Sequence, residues 1–270
     1  MTILVTGATG KVGRHIVDHL LSTGQQVRAL TRDPSAANLP AGVEVARGDL
    51  SDAATLAPAL EGVTALHLIT FAGYQDLTNG EELVELARKA GVQRVTVLRG
   101  WDETSVQEAL RASDLPWTHV QVVEFMGNAL EWAPGIRDGG VVREFSTAPS
   151  ALIHEGDIGA VAATALTEDG HAGKEYLLTG PEALTPAERV AIIAKALGRD
   201  VRVVQLTEQE LRTQLSGQGY SAEDVEFAVQ LGANPPQVGQ IVRPDVEQAT
   251  GKPARTFEQW VAENIDAFRA

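Results

Sequence analysis

The sequence predicts an α/β fold, a doubly wound parallel sheet with helices on both faces, and three observations predict it. The chain enters a short apolar run, Ile3-Leu4-Val5, almost at once. Gly7, Gly10 and Gly13 follow that run directly. Strand-like and helix-like segments then alternate through the first 150 residues.

Taken in order, the apolar run is a buried strand and the glycines a tight turn. Val12, Ile16, Val17, Leu20 and Leu21 then mark one side of an amphipathic helix. Strands are expected at Gln26–Leu30, Val43–Ala46, Ala65–Thr70, Gln93–Leu98 and Trp117–Val123. Helices are expected at Glu81–Ala90, stopped by Gly91, and at Ser105–Ala112. The second half reads as a helix at Asp157–Leu166, a strand at Glu175–Leu178, and a helix started by Thr185-Pro186-Ala187-Glu188 and stopped at Gly198. A strand at Val201–Leu206, helices at Thr207–Leu215 and Ala222–Leu231, and a last helix near Phe257–Phe268 complete it. This gives a dinucleotide-binding domain over residues 1–150. A smaller substrate-covering lobe over 151–270 is expected to pack on the open end of the sheet and interleave with it.

With 270 residues and 44% hydrophobic content, the chain can bury a sizeable core. It has no cysteine, which excludes thiol catalysis, disulfides and thiolate zinc sites. The net charge is −14, with lysine only at positions 11, 89, 174, 195 and 252. Such a surface repels nucleic acid and anionic membranes. No signal peptide or membrane span is read, so the expected compartment is the cytoplasm.

The glycine triplet sits where a doubly wound fold cradles a dinucleotide pyrophosphate. There the turn is tight, the backbone must approach the phosphates, and the helix must pack near the strand. Gly7, Thr9, Gly10, Lys11, Val12 and Gly13 are the expected phosphate-side residues. A carboxylate at the end of the second strand would favour NAD; here the strand runs Thr31-Arg32-Asp33-Pro34, and Arg32 offers a fork of donors to a 2′-phosphate. NADP(H) is therefore the expected cofactor, with Asp33 a turn or cap residue. Asp49 and Leu50 are placed at the adenine, with helix capping as the other role for Asp49. Thr70 and Phe71 are placed beside the nicotinamide ribose.

Thr6 to Gly13, Thr31 to Pro34, Gly48-Asp49-Leu50, Ala109 to Thr118, Leu178 to Thr185 and Thr250 to Phe257 resemble the NmrA-like, atypical short-chain dehydrogenase/reductase group along nearly the whole chain. The resemblance implies a Rossmann domain, a small C-terminal lobe and NADP(H). It implies NADPH:quinone reductases, polyketide-tailoring reductases, or redox sensors that do not turn the cofactor over. Ordinary short-chain dehydrogenases pair a Tyr with a Lys four residues later. Four residues after Tyr74, Tyr176 and Tyr220 stand Thr78, Gly180 and Asp224, so that acid is absent. Leu98-Arg99-Gly100-Trp101 replaces the small serines of many relatives, and Gln121-Val122-Val123 replaces an Arg-Pro-Gly segment.

Hydride transfer to a quinone does not need that acid, because water can protonate the product. The expected activity is direct hydride transfer from NADPH to a quinone or polycyclic aromatic carbonyl, including natural-product tailoring by reduction followed by oxygen-dependent hydroxylation. A non-catalytic redox sensor and an enone reductase are the other readings. Arg99, Trp101, Tyr74 and His154 are the expected catalytic-side residues, with Arg99 facing a developing oxyanion. Phe71, Tyr74, Trp101, Phe125 and Trp132 are the expected aromatic substrate contacts. His15 and His19 lie four apart on the first helix but lack the intervening Glu and third ligand of a zinc site. The expected partner is a small aromatic molecule, with no nucleic acid, membrane or metal. A homodimer is a fold-level expectation.

Overall fold

The computed structural model describes residues 1–73, 75–100 and 102–269. In chain order the elements are β1 (Thr2–Val5), α1 (Gly13–Ser22), β2 (Gln26–Thr31), β3 (Glu44–Arg47), β4 (Val63–Ile69), β5 (Phe71–Ala72), β6 (Gln75–Asp76) and α2 (Gly80–Lys89). β7 (Arg94–Arg99), α3 (Ser105–Ala112), β8 (Trp117–Val122), α4 (Ala133–Gly139), β9 (Val141–Glu144), α5 (Glu155–Thr167) and β10 (Lys174–Leu178) follow. The chain ends in α6 (Pro186–Leu197), β11 (Arg202–Gln205), α7 (Glu208–Gly217), α8 (Ala222–Ala233), α9 (Asp245–Thr250) and α10 (Phe257–Asn264).

Two compact units share these elements. The first holds residues 1–122, 155–178 and 245–253, and the second holds 123–154, 179–244 and 254–270. The first unit is built on seven parallel strands in the order β10-β8-β7-β4-β1-β2-β3. β2 and β3 are added on one side of β1, and β4, β7, β8 and β10 on the other. The strand order therefore reverses between β1 and β4, the switch point at which doubly wound sheets bind ligands. α2 and α3 pack Leu83, Val84, Val106 and Leu110 onto Leu66, Leu68, Val95 and Val97. α1 and α5 pack on each other and bury Ile16, Val17 and Leu20 with Ile158, Val161 and Ala162; Leu21 is only half-buried.

No α-helix joins β2 to β3 or β3 to β4; short 3-10 turns at Pro34–Ala36, Ala53–Thr55 and Pro58–Leu60 replace them. Two buried histidines lie in the sheet. His67 on β4 shares a 2.8 Å bond with the Thr96 hydroxyl of β7, and burial lowers its pKa to about 3. His119 on β8 stacks on Trp117 at 4.3 Å, and burial lowers its pKa to about 4.

The second unit buries Met126, Ile136, Leu152, Ile193, Phe257, Trp260 and Phe268 together. Its β9 and β11 form a separate two-stranded parallel sheet. The expected last helix ends at Asn264 and gives way to a 3-10 turn at Ile265–Phe268. Thr185 and Glu188 form the expected capping box of α6, and Gly198 ends that helix in the left-handed conformation. No helix among the described residues is long and apolar enough to cross a membrane.

Candidate functional site

A pocket of about 170 Å³ opens at the C-terminal tips of β1, β2, β3 and β4. Thr6, Gly7 and Thr9 line it from β1, Leu30 to Arg32 from β2, and Gly48 to Leu50 from the β3 tip. Ile69, Phe71, Ala72 and Gly73 close the β4 side.

Two glycines have steric reasons for being glycine. Gly7 has φ +61°, and a Cβ there would stand 3.2 Å from the Ile69 side chain. A Cβ at Gly13 would stand 2.1 Å from the Gly7 carbonyl oxygen, so no side chain fits. The turn between them is held by Gly10 N–H donating to Gly7 O at 2.9 Å and Arg14 Nε donating to Thr9 O at 2.9 Å. α1 then starts without a side-chain cap and without an acidic residue in its first turn. Its positive dipole end is thus not offset by a carboxylate of its own first turn. The buried Thr6 hydroxyl accepts from Ile69 N–H at 3.1 Å and locks the β1 and β4 tips together.

The rim at β2 and β3 is charged. Arg32 is exposed and has no carboxylate within ion-pairing distance among the described residues. Asp33 is the cap expected: it accepts from Ser35 N–H at 3.0 Å and Ser35 Oγ at 2.6 Å, and the Ser35 side chain chiefly holds its pKa below the usual carboxylate range. Asp49 is not a helix cap. Its Oδ1 accepts from Ser51 N–H at 3.0 Å and Ser51 Oγ at 2.7 Å, while Asp52 caps the following 3-10 turn. The Ser51 amide bond, more than the Arg32 charge, lowers the Asp49 pKa. Leu50 is buried and presents an apolar wall.

The sequence-derived cofactor residues Gly7, Thr9, Arg32, Asp49, Leu50 and Phe71 therefore come together in one pocket. Gly10, Lys11, Val12 and Gly13 form the adjoining turn, with Lys11 exposed and Val12 buried. Thr70 is buried, and its carbonyl accepts from Leu77 N–H at 2.8 Å. Thr6 and Gly48 entered only as members of the family motifs, and Leu30, Ala72 and Gly73 were not expected at the site. Their signal was position alone, at or just after the C-terminal ends of parallel strands.

The expected catalytic-side residues divide between the two units, and two of them lie outside the described residues. Arg99 is the last residue of β7, half-buried, in register with Gln121 of β8, and has no carboxylate partner among the described residues. Tyr74 and Trp101 lie outside the described residues. His154 belongs to the second unit, is buried, and its Nε2 lies 3.0 Å from Glu263 Oε2. Phe125 and Trp132 also belong to the second unit and are half-buried. The Trp132 Nε1 donates to Glu144 at 3.3 Å, and the buried Arg189 guanidinium, paired with Glu124 at 3.0 Å, lies 5.3 Å from the ring centre.

Tyr176 is structural: it is buried in β10 and its hydroxyl bonds His171 Nδ1 at 2.9 Å. Tyr220 is exposed. Neither has a lysine four residues on, so among the described tyrosines the Tyr-Lys pair is missing. No group of three metal-ligating side chains occurs among the described residues.

Residues 1–97 match the model of the NmrA-like family. A (4-alkanoyl-5-oxo-2,5-dihydrofuran-3-yl)methyl phosphate reductase from Streptomyces griseus is 39% identical, over 98% of this chain and 99% of its own. An NAD(P)H azoreductase from Xenophilus azovorans is 33% identical over 99% of each chain. An NADPH-dependent quinone oxidoreductase from Escherichia coli, crystallised with NADPH, shares the fold at a TM-score of 0.81, with 24% identity over 97% of this chain and 99% of that one. With its first third matching the family model and its full length aligning to relatives above 30% identity, the chain belongs to the NmrA-like family.

Proposed function

We propose that this chain is an NADPH-dependent reductase that delivers hydride to a quinone or another conjugated carbonyl acceptor. The observation that carries the reading is the pocket at the switch point, whose glycine turn admits no Cβ at Gly13 and whose rim offers Arg32 with no carboxylate in ion-pairing distance among the described residues. That cradle fits a dinucleotide with a 2′-phosphate. The turn from Gly7 to Gly13 and the start of α1 would hold the pyrophosphate, and Arg32 the 2′-phosphate. Leu50 and Asp49 would take the adenine, and Thr70 and Phe71 the nicotinamide end. When bound, NADPH supplies the hydride.

The acceptor class is supported by the activities of the relatives. The relatives are named as a dihydrofuranone phosphate reductase, an azoreductase and a quinone oxidoreductase. A quinone that accepts hydride becomes a phenolate, a weak base that water can protonate, which suits a chain without the Tyr-Lys pair. In this reading Arg99 stabilises the oxygen that gains negative charge. Phe71, Phe125 and Trp132, with Tyr74 and Trp101, supply aromatic contacts. His154 is proposed as a substrate contact.

The test is reduced-nicotinamide oxidation with quinones, enones and azo compounds, using NADPH and NADH, with and without oxygen. Turnover with NADPH preference that Arg32→Ala abolishes supports the reading. Oxygen-dependent gain of product mass would extend it to net hydroxylation in natural-product tailoring. Tight NADPH binding with no oxidation by any acceptor would replace it with the non-catalytic sensor.

A further inference from the structure

We propose that Arg47 is a second specificity-determining residue, which joins Arg32 in binding the 2′-phosphate and offsets the nearby Asp33 charge. The inference rests on the NADPH reading above and adds to it a residue outside the glycine turn and the Arg32 stretch.

Arg47 is the last residue of β3, the edge strand of the seven-stranded sheet. It stands in register with Thr31, one residue before Arg32, and Gly48 N–H donates to Thr31 O at 3.0 Å, fixing the two tips together. Register partners in a parallel pair lie about 4.8 Å apart and share a face of the sheet. Arg47 is exposed and, like Arg32, has no carboxylate within ion-pairing distance among the described residues. In a chain of net charge −14, two unpaired arginines on adjoining strand tips are a local exception.

Asp33 explains the need for the second one. It stands two residues past the end of β2, close to where a carboxylate would bond a ribose 2′-hydroxyl and repel a 2′-phosphate. Its carboxylate is instead committed to the Ser35 amide and hydroxyl, and the Arg47 charge further favours its ionised form. Asp49 is likewise committed to Ser51, within electrostatic reach of Arg32. Arg32, Arg47, Asp33 and Asp49 together make the tip neutral. Removal of Arg47 leaves it net negative, a poor neighbour for a phosphate dianion and an acceptable one for a ribose hydroxyl.

The test is equilibrium binding of NADPH and NADH, read by nucleotide fluorescence or calorimetry. It compares wild type, Arg32→Ala, Arg47→Ala, Asp33→Asn and the Arg47→Ala/Asp33→Asn double variant. Asn preserves the cap while removing the charge. Arg47→Ala is expected to weaken NADPH about tenfold and NADH less than about twofold, as for one charge-assisted contact. In the double variant, NADPH affinity should recover to within about threefold of Asp33→Asn alone. Equal losses for both nucleotides, or no loss for either, would overturn the inference. A double variant as weak as Arg47→Ala would overturn the charge-offset part. A wild type without NADPH preference would overturn the NADPH reading and this inference with it. A preference abolished by Arg32→Ala and untouched by Arg47→Ala would remove this inference alone.

Discussion

The turn after β1 and the tip of β7 lie at the same edge of one sheet, yet they are built on opposite principles. At the end of the turn a side chain is excluded: a Cβ at Gly13 would meet the Gly7 carbonyl oxygen at 2.1 Å, and α1 begins there with its positive dipole end. At the β7 tip the group presented is a long cation, the half-buried Arg99. In the proposed function the first region serves the cofactor and the second the substrate.

The largest way to break this contrast is Gly13→Val. The added side chain should cost about 1–3 kcal/mol of stability as an overpacked site. NADPH affinity should fall roughly a hundredfold or more, about 2.7 kcal/mol or above. Thermal unfolding and nucleotide titration would read both, and a variant of wild-type affinity would refute the cradle. Arg99→Gln should lower kcat on a quinone roughly a hundredfold, as loss of one oxyanion donor does, with NADPH affinity unchanged. A loss confined to NADPH affinity would move Arg99 to the cofactor side.

A smaller effect in wild type sharpens what the sheet interior contributes beneath both regions. His67 and His119 are held neutral, with pKa values of about 3 and about 4 against about 6.5 unfolded. Below pH 6.5 the unfolded chain binds protons that the folded chain refuses, so stability falls as pH falls and is fully present above that value. At pH 5 each histidine should cost about 2 kcal/mol relative to pH 7. Denaturant unfolding at the two pH values would show it, and His67→Leu should flatten part of the slope. The smallest expected effect is that of a chelator: EDTA should leave quinone turnover unchanged, since no cluster of metal-ligating side chains occurs among the described residues.

The same contrast explains what could be read from the residues alone. The glycine spacing, the apolar strands and the capping box at Thr185 are local signals, and each appears where expected. Arg32 was legible because the end of β2 is one short stretch of chain. Arg47 was not, because its relevance depends on β3 pairing in register with β2 without an intervening α-helix. Residues 123–154 gave no periodicity, since α4 and β9 are short and β9 finds its partner in β11, 61 positions along at Arg143 and Val204. Trp132 was expected as a substrate contact from its residue type alone; that its indole N–H donates to Glu144 and that the Arg189 guanidinium lies 5.3 Å from its ring could not be read from the sequence.

The place of β10 bears on how the protein is made. β8 acquires its outer neighbour only when Lys174–Leu178 pair with Thr118–Val122. Until that segment leaves the ribosome, a nascent chain carrying all of β1 to β8 presents β8 as an open apolar edge. During synthesis this is the strand most in need of a chaperone. A fragment ending at Val122 should accordingly be sticky, even though it contains every lining residue of the pocket at the β1 to β4 tips.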